Sequence, residues 1–184
     1  METVGSPDAS ILRSRDFHVA RWNSLKPWRE GIEASGLAIS NRLITPQNFP
    51  FESPSKPQSD HITLAVMGFR EVKSTAQVDN ILRGSFMDPA DLGDLVDWDP
   101  AEHYREIFKE DEDRVNYSLI LLGSAIGSAG NRQVLRYHEG AVGPSLDLVP
   151  LGGNWSPEDH LFLCRSRIVS EQASDTGPTQ QEGI

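Results

Sequence analysis

At 184 residues the chain has the length of one domain with tails, which excludes two complete hydrophobic cores. Hydrophobic residues at 38% exclude full disorder, and a formal charge of −10 opposes non-specific attraction to nucleic acid or to an anionic membrane face. Cys164, the single cysteine, excludes an intramolecular disulfide and a cysteine zinc cage, and no apolar run has signal-peptide or bilayer-spanning length, so a soluble protein of the reducing cytoplasm is expected.

Residues 1–10 are small and polar with one proline, the composition of a disordered terminus. From 11 to 57 the chain reads as an N-terminal arm. Phe17, Trp22, Leu25 and Trp28 are set among Arg13, Arg15, Arg21, Lys26 and Arg29, and residues 16–25 can be drawn as helical turns that Pro27 ends. Leu37, Ile39, Leu43 and Ile44 fit a short strand or a half-buried helix equally. Pro46, Pro50, Pro54 and Pro57 make residues 46–57 an extended crossing, in which Phe49 and Phe51 are expected to dock on the core.

A single domain is expected over 58–169. It opens with an apolar run at 61–69, the pattern of a strand covered on both faces. Ser74-Thr75-Ala76-Gln77 then has capping-box spacing, with Val78, Ile81 and Leu82 on one helical face and Gly84 at the stop. Asp88-Pro89-Ala90-Asp91 and Asp99-Pro100-Ala101-Glu102 each place aspartate at an N-cap and proline at the first helical position. The first of these helices is expected to bury Leu92, Leu95 and Val96. The second is expected to bury His103 or Tyr104, Ile107 and Phe108, and to end near the acidic 110–113 turn. Eleven acids against three bases give residues 85–114 a charge of −8, whereas residues 1–50 carry +1, so the chain is polarised.

From 115 to 169 short apolar runs alternate with glycine-rich turns: 117–122, 133–137, 145–149 and 161–164 read as strands of an antiparallel meander. Residues 170–184 have the composition of a disordered tail. The fold expected is α+β: an antiparallel β-meander in the C-terminal half packed with two or three short helices, plus an extended N-terminal arm.

Each motif that hints at chemistry has a plainer reading. Asp91, Asp94 and Asp97 share a helical face but lack EF-hand spacing, so capping or a solvated acidic face is expected and no metal. The glycine-rich 123–130 run lacks both the Gly-x-Gly-x-x-Gly and the Gly-Lys-Ser/Thr pattern of a phosphate loop, so it reads as a turn and no cofactor is expected. His61, His103, His138 and His160 are the acid–base candidates. His103, His138 and Asp147 are the weak catalytic set, with Ser145 completing an imaginable triad that no Gly-x-Ser-x-Gly elbow supports. Cys164 lies in an apolar run and reads as a small buried hydrophobe.

The balance is against an enzyme. The function expected is a non-catalytic interaction or assembly protein, a viral or accessory structural role included, using Arg13, Arg15, Arg21, Trp22, Trp28 and Arg29 on a protein partner or on a second copy's acidic segment. Two alternatives stand: a small cofactor-free isomerase, cyclase or hydrolase, and a nucleic-acid binder that uses the arm to stack on bases and contact phosphates.

Overall fold

A computed structural model describes residues 11–51, 60–100, 103, 118–128, 130–140, 143–157 and 159–167, with the backbone alone for 11–15. It is mixed α/β, with three described helices and a large, open, mostly antiparallel sheet. The strands in chain order are β1 (Ile11–Ala20), β2 (Ala38–Ile39), β3 (His61–Phe69), β4 (Lys73–Ser74), β5 (Met87–Pro89), β6 (Ser118–Ile126), β7 (Gln133–Gly140), β8 (Gly143–Pro150), β9 (Asn154–Trp155) and β10 (His160–Ser166). The helices are α1 (Trp28–Ala34), α2 (Thr75–Gly84) and α3 (Leu92–Trp98). The main sheet runs β1-β3-β10-β6-β7-β8-β2 with β5 added beside β10, while β4 and β9 pair apart from it.

Side-chain alternation along the strands separates two faces. Phe17, Leu64, Leu163, Leu121, Tyr137 and Leu146 point to one, where α3, Ile32 of α1, Phe49 and Phe51 cover them. Ala65, Met67, Phe162, Ile120 and Val134 point to the other, under Val78 and Leu82 of α2. The helix α2 forms where its local signals put it. Ser74 accepts from the Gln77 N–H, the Gln77 side chain accepts from the Ser74 N–H at 2.8 Å, and Gly84 is the last helical residue. Among the described residues no helix is long and apolar enough to cross a membrane.

Four expectations change. Residues 16–20 are strand and not helix: Phe17 and Val19 are buried while Asp16, His18 and Ala20 are exposed, a period of two that pays off only against β3, forty-odd residues later in the chain. Between 37 and 44, Ala38–Ile39 is the strand, parallel to β8 at the far edge. The arm expected at 11–57 is, over 11–51, continuous with the body, supplying both outer strands and seven core side chains. Phe49 and Phe51 dock as their hydrophobicity requires, at 2% and 6% exposure.

The third change concerns the first Asp-Pro cap. Asp88-Pro89 belongs to β5, whose backbone is taken by β10, and the Asp88 carboxylate meets Arg167 at 2.9 Å. The helix therefore starts three residues later, at an Asp91–Asp94 capping box. At the second start, the His103 N–H donates to the Asp99 carbonyl at 3.1 Å, and Asp99 itself is the C-cap of α3 with φ +51°. The fourth concerns the meander. β6, β7 and β8 follow one another antiparallel as expected, but β10 crosses back to lie between β3 and β6, parallel to β6. An uninterrupted apolar run, Leu161 to Cys164, suits a strand buried on both faces in the middle of a sheet. The expectations for 1–10, 52–57, 104–117 and 170–184 fall outside the described residues.

Room for β5 depends on one glycine. Where β6 bulges between Leu121 and Ala125, its Gly123 N–H donates to the Ala90 carbonyl at 3.0 Å. A Cβ on Gly123 would stand 2.7 Å from the carbonyl oxygens of both Pro89 and Ala90. Gly123→Ala is therefore expected to destabilise the chain by about 1–3 kcal/mol, the usual cost of overpacking, read as a lower urea midpoint.

Candidate functional site

The three aspartates of the α3 segment are not a solvated face. Asp91, Asp94 and Asp97 are 6%, 3% and 8% exposed, and each is committed to a different partner. Asp91 caps the helix, its side chain accepting from the Asp94 N–H at 3.1 Å. Asp94 returns the contact to the Asp91 N–H at 3.1 Å and pairs with Arg165 of β10 at 3.2 Å, both side chains nearly shut off from solvent. Asp97 turns to the segment that follows β1. Its Oδ1 accepts from three successive backbone N–H groups, Trp22 at 3.0 Å, Asn23 at 2.8 Å and Ser24 at 2.8 Å, and its Oδ2 accepts from the Ser24 hydroxyl. Asn23 Nδ2 adds a bond to the Val96 carbonyl at 2.9 Å. The carboxylate is wholly buried beneath the turn, with Arg21 Nε at 3.7 Å to balance its charge.

That clamp immobilises the backbone of 22–24 while leaving two large apolar side chains outside. Trp22 is 74% exposed and Leu25 61%. Isolated exposed hydrophobics are ordinary, but this indole stands out from a backbone held by three hydrogen bonds to one carboxylate at a helix end.

The residues singled out from sequence divide around this turn. Arg21 points inward, its Nη2 donating to Ser24 Oγ at 3.1 Å. Trp28 stacks on Phe51 at 6.0 Å and donates its indole N–H to the Phe49 carbonyl at 2.7 Å, holding residues 49–51 in place. Trp22 and Arg29 are exposed. The side chains of Arg13 and Arg15 lie outside the described ones. His103 stacks on Trp98 at 5.7 Å and meets Phe17 edge-on at 5.3 Å, on the face covered by α3. His138 and Asp147 stand in β7 and β8 on the opposite face, four and five strands from β1, which is roughly 19 and 24 Å at the usual strand spacing.

No acid–base pair is assembled from these groups. His138 and Ser145 are register partners, yet Ser145 Oγ bonds Ser40 Oγ, and Asp147 takes Arg136 at 3.1 Å and the Leu148 N–H at 2.7 Å. The His–carboxylate and Ser–His bonds that a triad needs are not made. Cys164 is fully buried, its thiol directed at the Phe162 carbonyl at 3.6 Å. Among the described residues no three His, Cys, Asp or Glu side chains group to hold a metal ion.

Sequence reasoning missed Asp97 and Arg165 as partners. For Asp97 no local signal exists, because its donors lie more than seventy residues away. For Arg165 the signal was a charge directly following an apolar strand, a position that needs a buried counter-charge.

These features define a filled α/β scaffold with a rigid, exposed apolar turn. Compared with family models, with curated proteins and with solved structures, the chain matches none.

The clamp yields two expected outcomes. Asp97→Ala orphans three backbone donors and should cost about 3–5 kcal/mol in chemical denaturation, with Asp97→Asn costing less because one acceptor oxygen remains. In the surviving folded fraction, amide order parameters of 22–24 should fall from about 0.85 toward 0.6. Asp94→Leu alone removes a buried counter-charge from Arg165 and a capping contact from the Asp91 N–H and should cost about 3–5 kcal/mol, whereas Asp94→Leu with Arg165→Met should recover the ion-pair part of that loss, since a buried ion pair is replaceable by apolar side chains but not by half of itself.

Proposed function

We propose that this chain is a non-catalytic interaction protein of the reducing cytoplasm that acts through protein–protein contacts and self-associates. The observation that carries the reading is the Asp97 clamp beneath the exposed Trp22 and Leu25. A partner that covers the indole meets a backbone already ordered, so little conformational entropy is lost on binding. Trp is also the side chain most often responsible for the bulk of an interface's free energy.

A second copy is the partner favoured for two reasons. With −10 on each chain, two copies repel except where they meet through a patch that is not acidic, and the turn is such a patch, with Trp22 and Leu25 beside the Lys26 ammonium that donates to Asn23 at 2.9 Å. It also directly follows β1, whose outer edge pairs with no described strand, so a second copy can supply a strand and an apolar turn at one place. The basic residues of the arm have a smaller part in this reading than the apolar ones. Arg21 is spent on its own turn, and three acids of the segment it was matched with lie inside the molecule.

Sedimentation equilibrium at low and high salt tests this. The wild-type chain should dimerise with rising concentration, and added salt should not weaken the dimer, because the contact is apolar. Trp22→Ser with Leu25→Ser should sediment as a monomer at the same concentrations, with an unfolding midpoint close to wild type since both side chains are exposed. A wild type that stays monomeric throughout, or a double variant that still dimerises, would defeat the proposal.

A further inference from the structure

On the sheet face opposite the turn, a groove of 860 Å³ lies between α2, the 127–132 loop and the 151–153 loop. Its size is within the range of small-molecule sites, about 300–1,000 Å³. Leu122, Pro89 and Leu151 give it an apolar floor, and the first turns of α2, with Thr75 and Ala76, form one wall. The opposite rim is Asn131-Arg132 and Gly152-Gly153. A Cβ added at Gly130, Gly152 or Gly153 would meet nothing within 4 Å, so these loop tips carry no side chain where one would fit, and the mouth stays open with backbone exposed.

The polar groups around the groove are unevenly balanced. Asp79 and Arg83 on the wall cancel each other in an i,i+4 pair at 3.0 Å. That leaves the Arg132 guanidinium, and among the described residues it makes no hydrogen bond or ion pair; the Gly152 and Gly153 amides likewise donate to no described group. From the facing wall the positive end of the α2 dipole, at Thr75 and Ala76, adds to the cationic character of the groove. In a chain of −10 this is a local cationic rim over an apolar floor.

We propose that the groove binds a small amphipathic organic anion, its acidic group on Arg132 and the 152–153 amides and its apolar body on Leu122, Pro89 and Leu151. An anion suits both features: the rim offers charge-assisted donors, and the floor offers apolar area that water covers poorly. The inference stands on the opposite face from the Trp22 turn and does not depend on self-association.

The test uses the full ¹⁵N-labelled chain with 8-anilinonaphthalene-1-sulfonate as the probe and neutral N-phenyl-1-naphthylamine as its uncharged counterpart. The sulfonate should shift the amides of Gly130, Gly152 and Gly153 saturably, and the neutral amine should bind more weakly. Arg132→Ala should weaken the sulfonate about tenfold, as for loss of a charge-assisted bond. Ala76→Glu should weaken it as much while leaving the unfolding midpoint unchanged or raised, because an acid in the first turn favours the helix. Shifts confined to other residues, no shifts, equal affinity after Arg132→Ala, or equal binding of the neutral amine would each overturn the assignment.

Discussion

A seven-residue helix is too short to hold itself in water, and α3 is held by its carboxylates. Asp91 closes its first turn, Asp94 ties it to Arg165 in the middle of the sheet, and Asp97 ties its last turn to the segment after β1. All seven residues of the helix are buried, so these three acids work in a low-dielectric setting where an unpaired charge is costly and a fully bonded one directs packing. Close approach is part of the same arrangement: Gly93 lies under Phe51 so tightly that a Cβ there would stand 2.3 Å from the Phe51 carbonyl oxygen. The helix thus joins the N-terminal strand, the proline-rich crossing and the central sheet at one place.

The sheet follows a similar logic of filled space. β10 occupies its centre because every side chain from Phe162 to Cys164 can be covered, on one side by the α3 layer and on the other by α2. β5 can join it only where β6 bends away at Gly123. With both faces covered and both layers packed, the histidines stay apart: His103 belongs to the aromatic group around Trp98, and His138 to the polar side of β7.

Two surface features differ from the rest. One carries exposed Trp22 and Leu25 and is fixed from beneath by a buried carboxylate; the other is concave, with an apolar floor and on its rim a cation that pairs with no described residue. They lie on opposite faces of the sheet and share no residue. Each leaves open to solvent something that the chain covers or pairs elsewhere: apolar area at Trp22, and donors at Arg132 and the 152–153 loop that meet no described group.

Much of the local structure was legible in the residues themselves. The Ser74–Gln77 box, the 61–69 strand, the β6–β7–β8 succession and the docking of Phe49 and Phe51 rest on neighbours in sequence or on plain hydrophobicity, and these stand as read. The misread parts needed a distant partner. Residues 16–20 are strand because β3 lies beside them, Asp88-Pro89 is strand because β10 claims its backbone, and β10 is central because two layers cover it. The aspartates of α3 show the division most plainly. Composition and spacing determined that an acid-rich helix would bury Leu92, Leu95 and Val96, though they put its cap at Asp88; only the tertiary structure decided that the cap is Asp91 and that the charges face inward, since the energy of a carboxylate depends on donors that Arg165 and the 22–24 turn bring from more than seventy positions away.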